Sequence, residues 1–162
     1  MTQIALIAPC DSLASIAAKT AKKTDMDLRV ETSLLDDAID VAKQLQSEGI
    51  QVLISRGGTA LVLQNAPELN LPVVEIRVTA YDVVRAIAKA KDFGLRIGVI
   101  GFENMVLGAS TLETISPATI QEFLLESPYE VENKVQSAIR QGMDTLIGGV
   151  ITVKTAEKLG IN

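Results

Sequence analysis

The chain has 162 residues, a formal net charge of −5, 48% apolar and only 3% aromatic residues, and neither Trp nor His. That length suffices for one domain or for two small lobes with a substantial core. An acidic chain with so few aromatic side chains offers no base-stacking surface and is repelled by phosphate backbones, so direct nucleic acid contact by this segment is not expected.

In chain order, Gln3 to Pro9 reads as a buried strand, because Ile4 to Ala8 form a short apolar run closed by proline. Cys10-Asp11-Ser12 then opens a helix to about Lys23, with Asp11 or Ser12 as its cap. Asp27 to Ser33 reads as a second, more exposed strand. Ser33 followed by Asp36 has the capping-box pattern for the next helix, whose face is Leu34, Ala38, Val41, Ala42 and Leu45, and Gly49 ends it. A third strand covers Gln51 to Ser55, followed by a glycine corner, a helix to about Asn65 and the strand Val73 to Ile76.

The pattern then begins again. Thr79-Ala80-Tyr81-Asp82 is a second capping box, opening a helix to about Asp92 with Tyr81, Val84, Ile87 and Ala88 at helical spacing. Leu95 to Phe102 reads as a buried strand and Asn104 to Ile115 as a helix, while Thr119 to Leu125 fits strand or helix equally. Ser127-Pro128-Tyr129-Glu130 starts a helix with Val131, Val135, Ala138 and Ile139 inward, and Gly142 stops it. Thr145 to Gly148 is a strand that ends in Gly148-Gly149 before a helix from about Thr152. After Gly160-Ile161-Asn162 the alternation calls for a further strand, so we expect a domain of a longer protein.

Alternating strands and helices predict an α/β fold of Rossmann-like parallel sheets, in two lobes, 1–78 and 79–162, facing a cleft. A single doubly wound sheet would give the same alternation. In either case ligands bind beyond the carboxyl ends of the strands. The loops Pro9–Ser12, Ser55–Thr59 and Arg77–Thr79 should therefore share one edge, with Cys10, Ser12 and Arg77 among the candidates. The stretch Ser55-Arg56-Gly57-Gly58-Thr59 is the most informative. A strand turning directly into a helix through a glycine pair presents backbone N–H groups and the positive end of the helix dipole, and Arg56 adds a guanidinium. A small anion, such as a carboxylate, suits that corner; a tight turn capped by Thr59 explains the same residues without a ligand.

The missing His removes His-based metal sites, Ser-His and Cys-His nucleophile pairs, and the commonest general base. No metal and no cofactor are expected. Helical spacing assigns Asp36, Asp37 and Asp40 to a solvated face. The single Cys10 cannot form an internal disulfide and fits a reducing, cytoplasmic setting. A thiol at a helix start also permits an enzyme reading, a racemase or isomerase using Cys10. Racemases of that layout draw one thiol from each lobe, and the second half here has none. No apolar run approaches the ~20 residues that span a bilayer, and no secretory signal is expected.

The run Ile54-Ser55-Arg56-Gly57-Gly58-Thr59-Ala60, with Pro72 to Ile76, Tyr81-Asp82 and Arg85-Ala86, resembles the propionate catabolism activator N-terminal domain family. The resemblance extends through Ile97 to Phe102, Asn104, and Gly142, Gly148-Gly149, Ala156 and Gly160. It implies two flavodoxin-like lobes, a small anionic effector in the cleft, and the effector-sensing role of a sigma-54-dependent transcriptional activator rather than catalysis. It also implies ATPase and DNA-binding domains in the same parent protein. Namesake members sense 2-methylcitrate; here Arg77 is the obvious second cation beside Arg56. By motif position Ser55, Arg56, Gly57, Gly58 and Thr59 become the leading site residues, followed by Gly101, Asn104, Gly148, Gly149 and Thr152. A homo-oligomer is expected, and no membrane partner.

Overall fold

Four short strands order the first part of the chain: β1 (Ile4–Ala8), β2 (Leu28–Thr32), β3 (Val52–Arg56) and β4 (Val73–Ile76). They lie parallel in the order β2-β1-β3-β4, with Leu6 opposite both Val30 and Ile54, and Arg56 opposite Ile76. The helices between them are α1 (Asp11–Lys23), α2 (Asp37–Ser47) and α3 (Gly57–Gln64). Because successive side chains of a strand point to opposite faces, each strand feeds two cores. Ala5, Ile7 and Leu53 pack with Ala38, Ala42, Leu45 and Leu63 of α2 and α3. Leu6, Ala8 and Ile54 pack with Leu13, Ala14 and Ala17 of α1. The computed structural model describes residues 3–161, and the chain divides into two compact units, Met1–Arg77 and Val78–Asn162.

The second unit begins with α4 (Ala80–Ala90) and builds a parallel sheet from β5 (Arg96–Gly101), β6 (Thr119–Leu124) and β7 (Thr145–Gly148) in the order β6-β5-β7. One face is covered by α4, by the short helix α5 (Glu103–Val106) and by the 3-10 segment Ala109–Ile115, around Ile87, Ala90, Ile97, Val99 and Ile120. α6 (Val131–Arg140) packs on β5 and β6, and α7 (Val150–Lys158) packs on β7 and on α6. Both units are thus α/β layers with parallel sheets, as the alternation predicts, in the flavodoxin-like arrangement that the family resemblance implies.

Several local expectations are corrected. The helix after β1 is capped by neither Asp11 nor Ser12: both lie inside it, and Cys10 stands at the N-cap with no side-chain cap bond. The Ser33–Asp36 capping box does not form. The N–H of Ser33 goes to the carbonyl of Ala8 at 3.0 Å, Leu35 turns left-handed at φ 53°, and α2 starts only at Asp37. By contrast the Thr79–Asp82 box is complete in both directions. The buried stripe of α4 is not Tyr81, Val84, Ile87 and Ala88 but Val83, Ile87 and Ala90, and Tyr81 is 79% exposed. No continuous helix runs from Asn104 to Ile115. Leu107 turns extended and Gly108 left-handed (φ 86°), so the remainder closes as a 3-10 turn whose Ser110 N–H is taken by the Glu122 carboxylate. Thr119–Leu124 is a strand, and α7 begins at Val150 rather than Thr152.

Candidate functional site

In a doubly wound sheet a crevice opens where consecutive crossovers leave for opposite faces. In the first unit that switch point lies between β1 and β3. The chain leaves β1 through α1 on one face and leaves β3 through α3 on the other. Cys10 and Ser12 follow β1; Ser55 to Thr59 end β3 and open α3. Arg77 falls beyond β4, one strand further out. In the second unit the switch point lies between β5 and β7, whose ends carry Gly101 to Asn104 and Gly148 to Thr152.

At the first-unit corner two buried hydroxyls are committed to backbone. Ser55 is fully buried and its hydroxyl donates to the carbonyl of Ile7 at 2.8 Å, tying β3 to β1. Thr59 is 1% exposed, and its hydroxyl accepts the N–H of Leu35 at 3.1 Å. Both hydroxyls therefore hold backbone. Arg56 is half-buried at the N-cap of α3, in extended conformation and without a side-chain cap bond. Strand alternation puts it on the α1 side of the sheet, with Ile54. Gly57 takes φ 60°, a left-handed conformation that only glycine adopts at little cost. The first turn of α3 contains no acid, whereas α1 carries Asp11 in its own first turn. The positive end of the dipole is thus less offset at α3.

The second-unit corner repeats the design. Thr152 is 1% exposed and its hydroxyl donates to the carbonyl of Ile100 at 3.4 Å. Gly148 exists for packing: a Cβ there would fall 2.4 Å from Thr152 Cβ and 2.7 Å from the Ile100 carbonyl oxygen. A Cβ at Gly101 would fall 2.9 Å from Val106 Cγ1. Gly149 is different, since an added Cβ would meet only the flexible end of Met105, at 3.2 Å. Gly149 is the N-cap of α7, again with no side-chain cap bond and no acid in the first turn. Asn104 is half-buried in α5.

Sequence reasoning missed two contributors. Met105 reads as an ordinary apolar residue, yet it lies beside both Gly101 and Gly149. The segment Ser33 to Leu35 meets the end of β1 and the first turn of α3 through long-range hydrogen bonds that no local pattern announces.

Cys10 is half-buried and its Sγ lies 3.1 Å from Ser12 Oγ, a hydroxyl and not a base. Away from these corners, hydrogen bonds that Arg29 donates to the carboxylates of Glu31 and Glu48 raise its pKa, while the bonds Glu48 accepts from Gln44 and Arg29 lower that of Glu48. Among the described residues no cluster of Cys, Asp and Glu is arranged to hold a metal ion, and no helix is long and apolar enough to cross a membrane. A groove of about 200 Å³ runs along α7, lined by Leu146, Thr152, Val153, Ala156, Glu157 and Ile161, and shares only Thr152 with the candidate residues.

Fold and corners together define a class: two α/β units with parallel sheets, each with a glycine turn at its switch point. Residues 22–162 match the model of the propionate catabolism activator family, and the chain belongs to that family. Among solved structures it is similar to an NtrC family transcriptional regulator from Clostridium acetobutylicum, with 26% identity, a TM-score of 0.86, and coverage of 98% of this chain and 83% of that one. A looser likeness is to the ABC domain in complex with L-Trp from Streptococcus pneumonia, at 15% identity and a TM-score of 0.49, over 96% of this chain and 70% of that one.

Proposed function

We propose that this is the effector-sensing domain of a transcriptional activator, holding a small organic anion at the β1/β3 switch point. Family membership and the similarity to an NtrC family regulator support a regulatory role in a larger protein with ATPase and DNA-binding parts. The observation that carries the anion reading is the start of α3. A strand ending in a guanidinium turns without a side-chain cap into a helix whose first turn is glycine-rich and free of acid. Backbone N–H groups and the helix dipole favour negative charge there, and Arg56 adds a bidentate donor.

Binding switches the protein only if one arrangement of the units holds the ligand more tightly than the other. Carboxylates with two or three charges match Arg56 together with the helix start. 2-Methylcitrate and citrate are the first probes. A probe at a free concentration of 100 times its Kd should stabilise the folded chain by about 2.7 kcal/mol, read as a rise of several degrees in Tm. Arg56→Ala should abolish that rise while leaving the ligand-free Tm within about 2 °C, since a half-exposed arginine contributes little to folding. An undiminished rise in Arg56→Ala removes Arg56 from the site. Turnover of any small acid that disappears in Cys10→Ser would instead favour a racemase-like enzyme.

A further inference from the structure

We infer that Thr59 is a positioning residue, whose buried hydroxyl latches the β2–α2 segment (Ser33 to Asp36) against the start of α3 and so makes that segment one wall of the first-unit site. The inference rests on the anion reading above for what the wall encloses, but the latch itself stands on separate observations. Leaving β2, the chain is held first by Ser33, whose N–H donates to the carbonyl of Ala8, the last residue of β1. It is held next by Leu35, whose N–H donates to Thr59 Oγ1 at 3.1 Å. The segment therefore joins the ends of the elements that flank the switch point, β1 and α3.

The second bond is made under strain. Leu35 has φ 53°, and a γ-branched residue without a side-chain hydrogen bond has no local reason to be left-handed. The cost of that conformation and the net yield of one hydrogen bond are of the same order. The segment is thus poised: with the bond it stays, and without it the backbone relaxes toward an ordinary conformation. Thr59 is suited to the task because it is 1% exposed and sits on a helix whose interior face is anchored by Ala60 and Leu63. Leu34 and Leu35 are half-buried, so a released segment exposes little apolar surface and opens without the core.

Amide hydrogen exchange and backbone couplings, measured by NMR on the ligand-free 162-residue protein, test the latch. In Thr59→Val, which keeps the shape and removes the hydroxyl, the Leu35 amide should exchange roughly five- to tenfold faster, and its couplings should leave the left-handed range. Leu53, whose N–H bonds to the carbonyl of Pro72, should change less than about twofold, as expected for a local opening. Thr59→Ser should restore Leu35. Equal acceleration at Leu35 and Leu53 would make Thr59 an ordinary core residue, and a Leu35 amide unprotected in the unaltered protein would mean no latch. Either result overturns the inference. A citrate titration followed at the Gly58 amide then tests the wall: affinity should fall about tenfold in Thr59→Val, consistent with loss of pre-organisation, and recover in Thr59→Ser. Equal citrate affinity in all three proteins overturns the role as a wall. No citrate response at Gly58 in the unaltered protein overturns the anion reading and the wall with it, while the ligand-free exchange still decides the latch.

Discussion

Gly148 and Gly149 are adjacent and identical in sequence, yet the structure assigns them opposite tolerance. Gly148→Ala would set a Cβ 2.4 Å from Thr152 Cβ, 2.5 Å from its Cγ2 and 2.7 Å from the carbonyl oxygen of Ile100. No rotamer of Thr152 relieves a contact with its own Cβ, and the third atom belongs to the central strand β5. Overpacking of this kind costs about 1–3 kcal/mol. Displacing Thr152 also forfeits its hydrogen bond to Ile100, about another 1 kcal/mol. Gly149→Ala meets only the terminal methyl of Met105, at 3.2 Å. Its φ of −76° and ψ of −177° suit alanine, so it should stay within about 0.5 kcal/mol of the unaltered protein. Urea unfolding followed by near-UV circular dichroism separates the cases. Every Phe and Tyr of the chain lies beyond residue 78, so the signal reports the second unit alone. A loss of 2–4 kcal/mol moves the midpoint by roughly 2 M for a unit of this size. Equal midpoints for the two substitutions would refute the packing account and return Gly148 to the residues kept small for a ligand's approach. With the packing account standing, Gly149→Ala becomes the cleaner probe of ligand contact, because weakened anion binding there could not be blamed on instability.

Ser55→Ala should cost about 1–2 kcal/mol with or without any anion, because its hydroxyl serves the Ile7 carbonyl; unchanged stability with lost anion binding would contradict this. Leu53→Ala, at a fully buried position, should cost about 2–5 kcal/mol in urea unfolding followed by far-UV circular dichroism, and a loss below about 1 kcal/mol would contradict the burial. Burial alone would raise the Glu122 carboxyl, but hydrogen bonds from Ser110 and Gly108 together outweigh it and leave the pKa lowered. A lowered folded pKa gives stability that is present above the unfolded value and lost as pH falls through the folded one. Stability should therefore fall more steeply below about pH 4.5 in the unaltered protein than in Glu122→Gln, and parallel pH profiles would remove that role.

What was legible in the sequence followed from local chemistry. Apolar runs located the strands, and Thr79 with Asp82 announced a cap that forms in full. Ser127 before Pro128 announced another, with its hydroxyl accepting the N–H of Tyr129 at 3.3 Å. Ser33 with Asp36 has the same local pattern and fails, because distant partners compete for the backbone: Ala8 takes the Ser33 N–H and Thr59 takes that of Leu35. The hydroxyls of Ser55, Thr59 and Thr152 looked available for a ligand for the same reason. Their backbone partners lie 24 to 52 residues away along the chain, beyond the reach of any spacing rule.

Those same committed hydroxyls bear on how an anion site would work. Ser55 pins β3 to the carbonyl of Ile7 on β1, and Thr152 pins the start of α7 to the carbonyl of Ile100 on β5. In each unit a buried hydroxyl thus fixes the glycine turn to the central strand beside it. A helix start held that rigidly pays little ordering entropy when a ligand arrives, so its amides bind an anion more strongly than the same groups on a mobile loop. On the proposed reading, the groups that would meet an anion are the backbone N–H groups that open α3 at Gly58 and Thr59 in the first unit, and that of Gly149 at the N-cap of α7 in the second. Ser55 and Thr152 matter one step back, by holding those groups still.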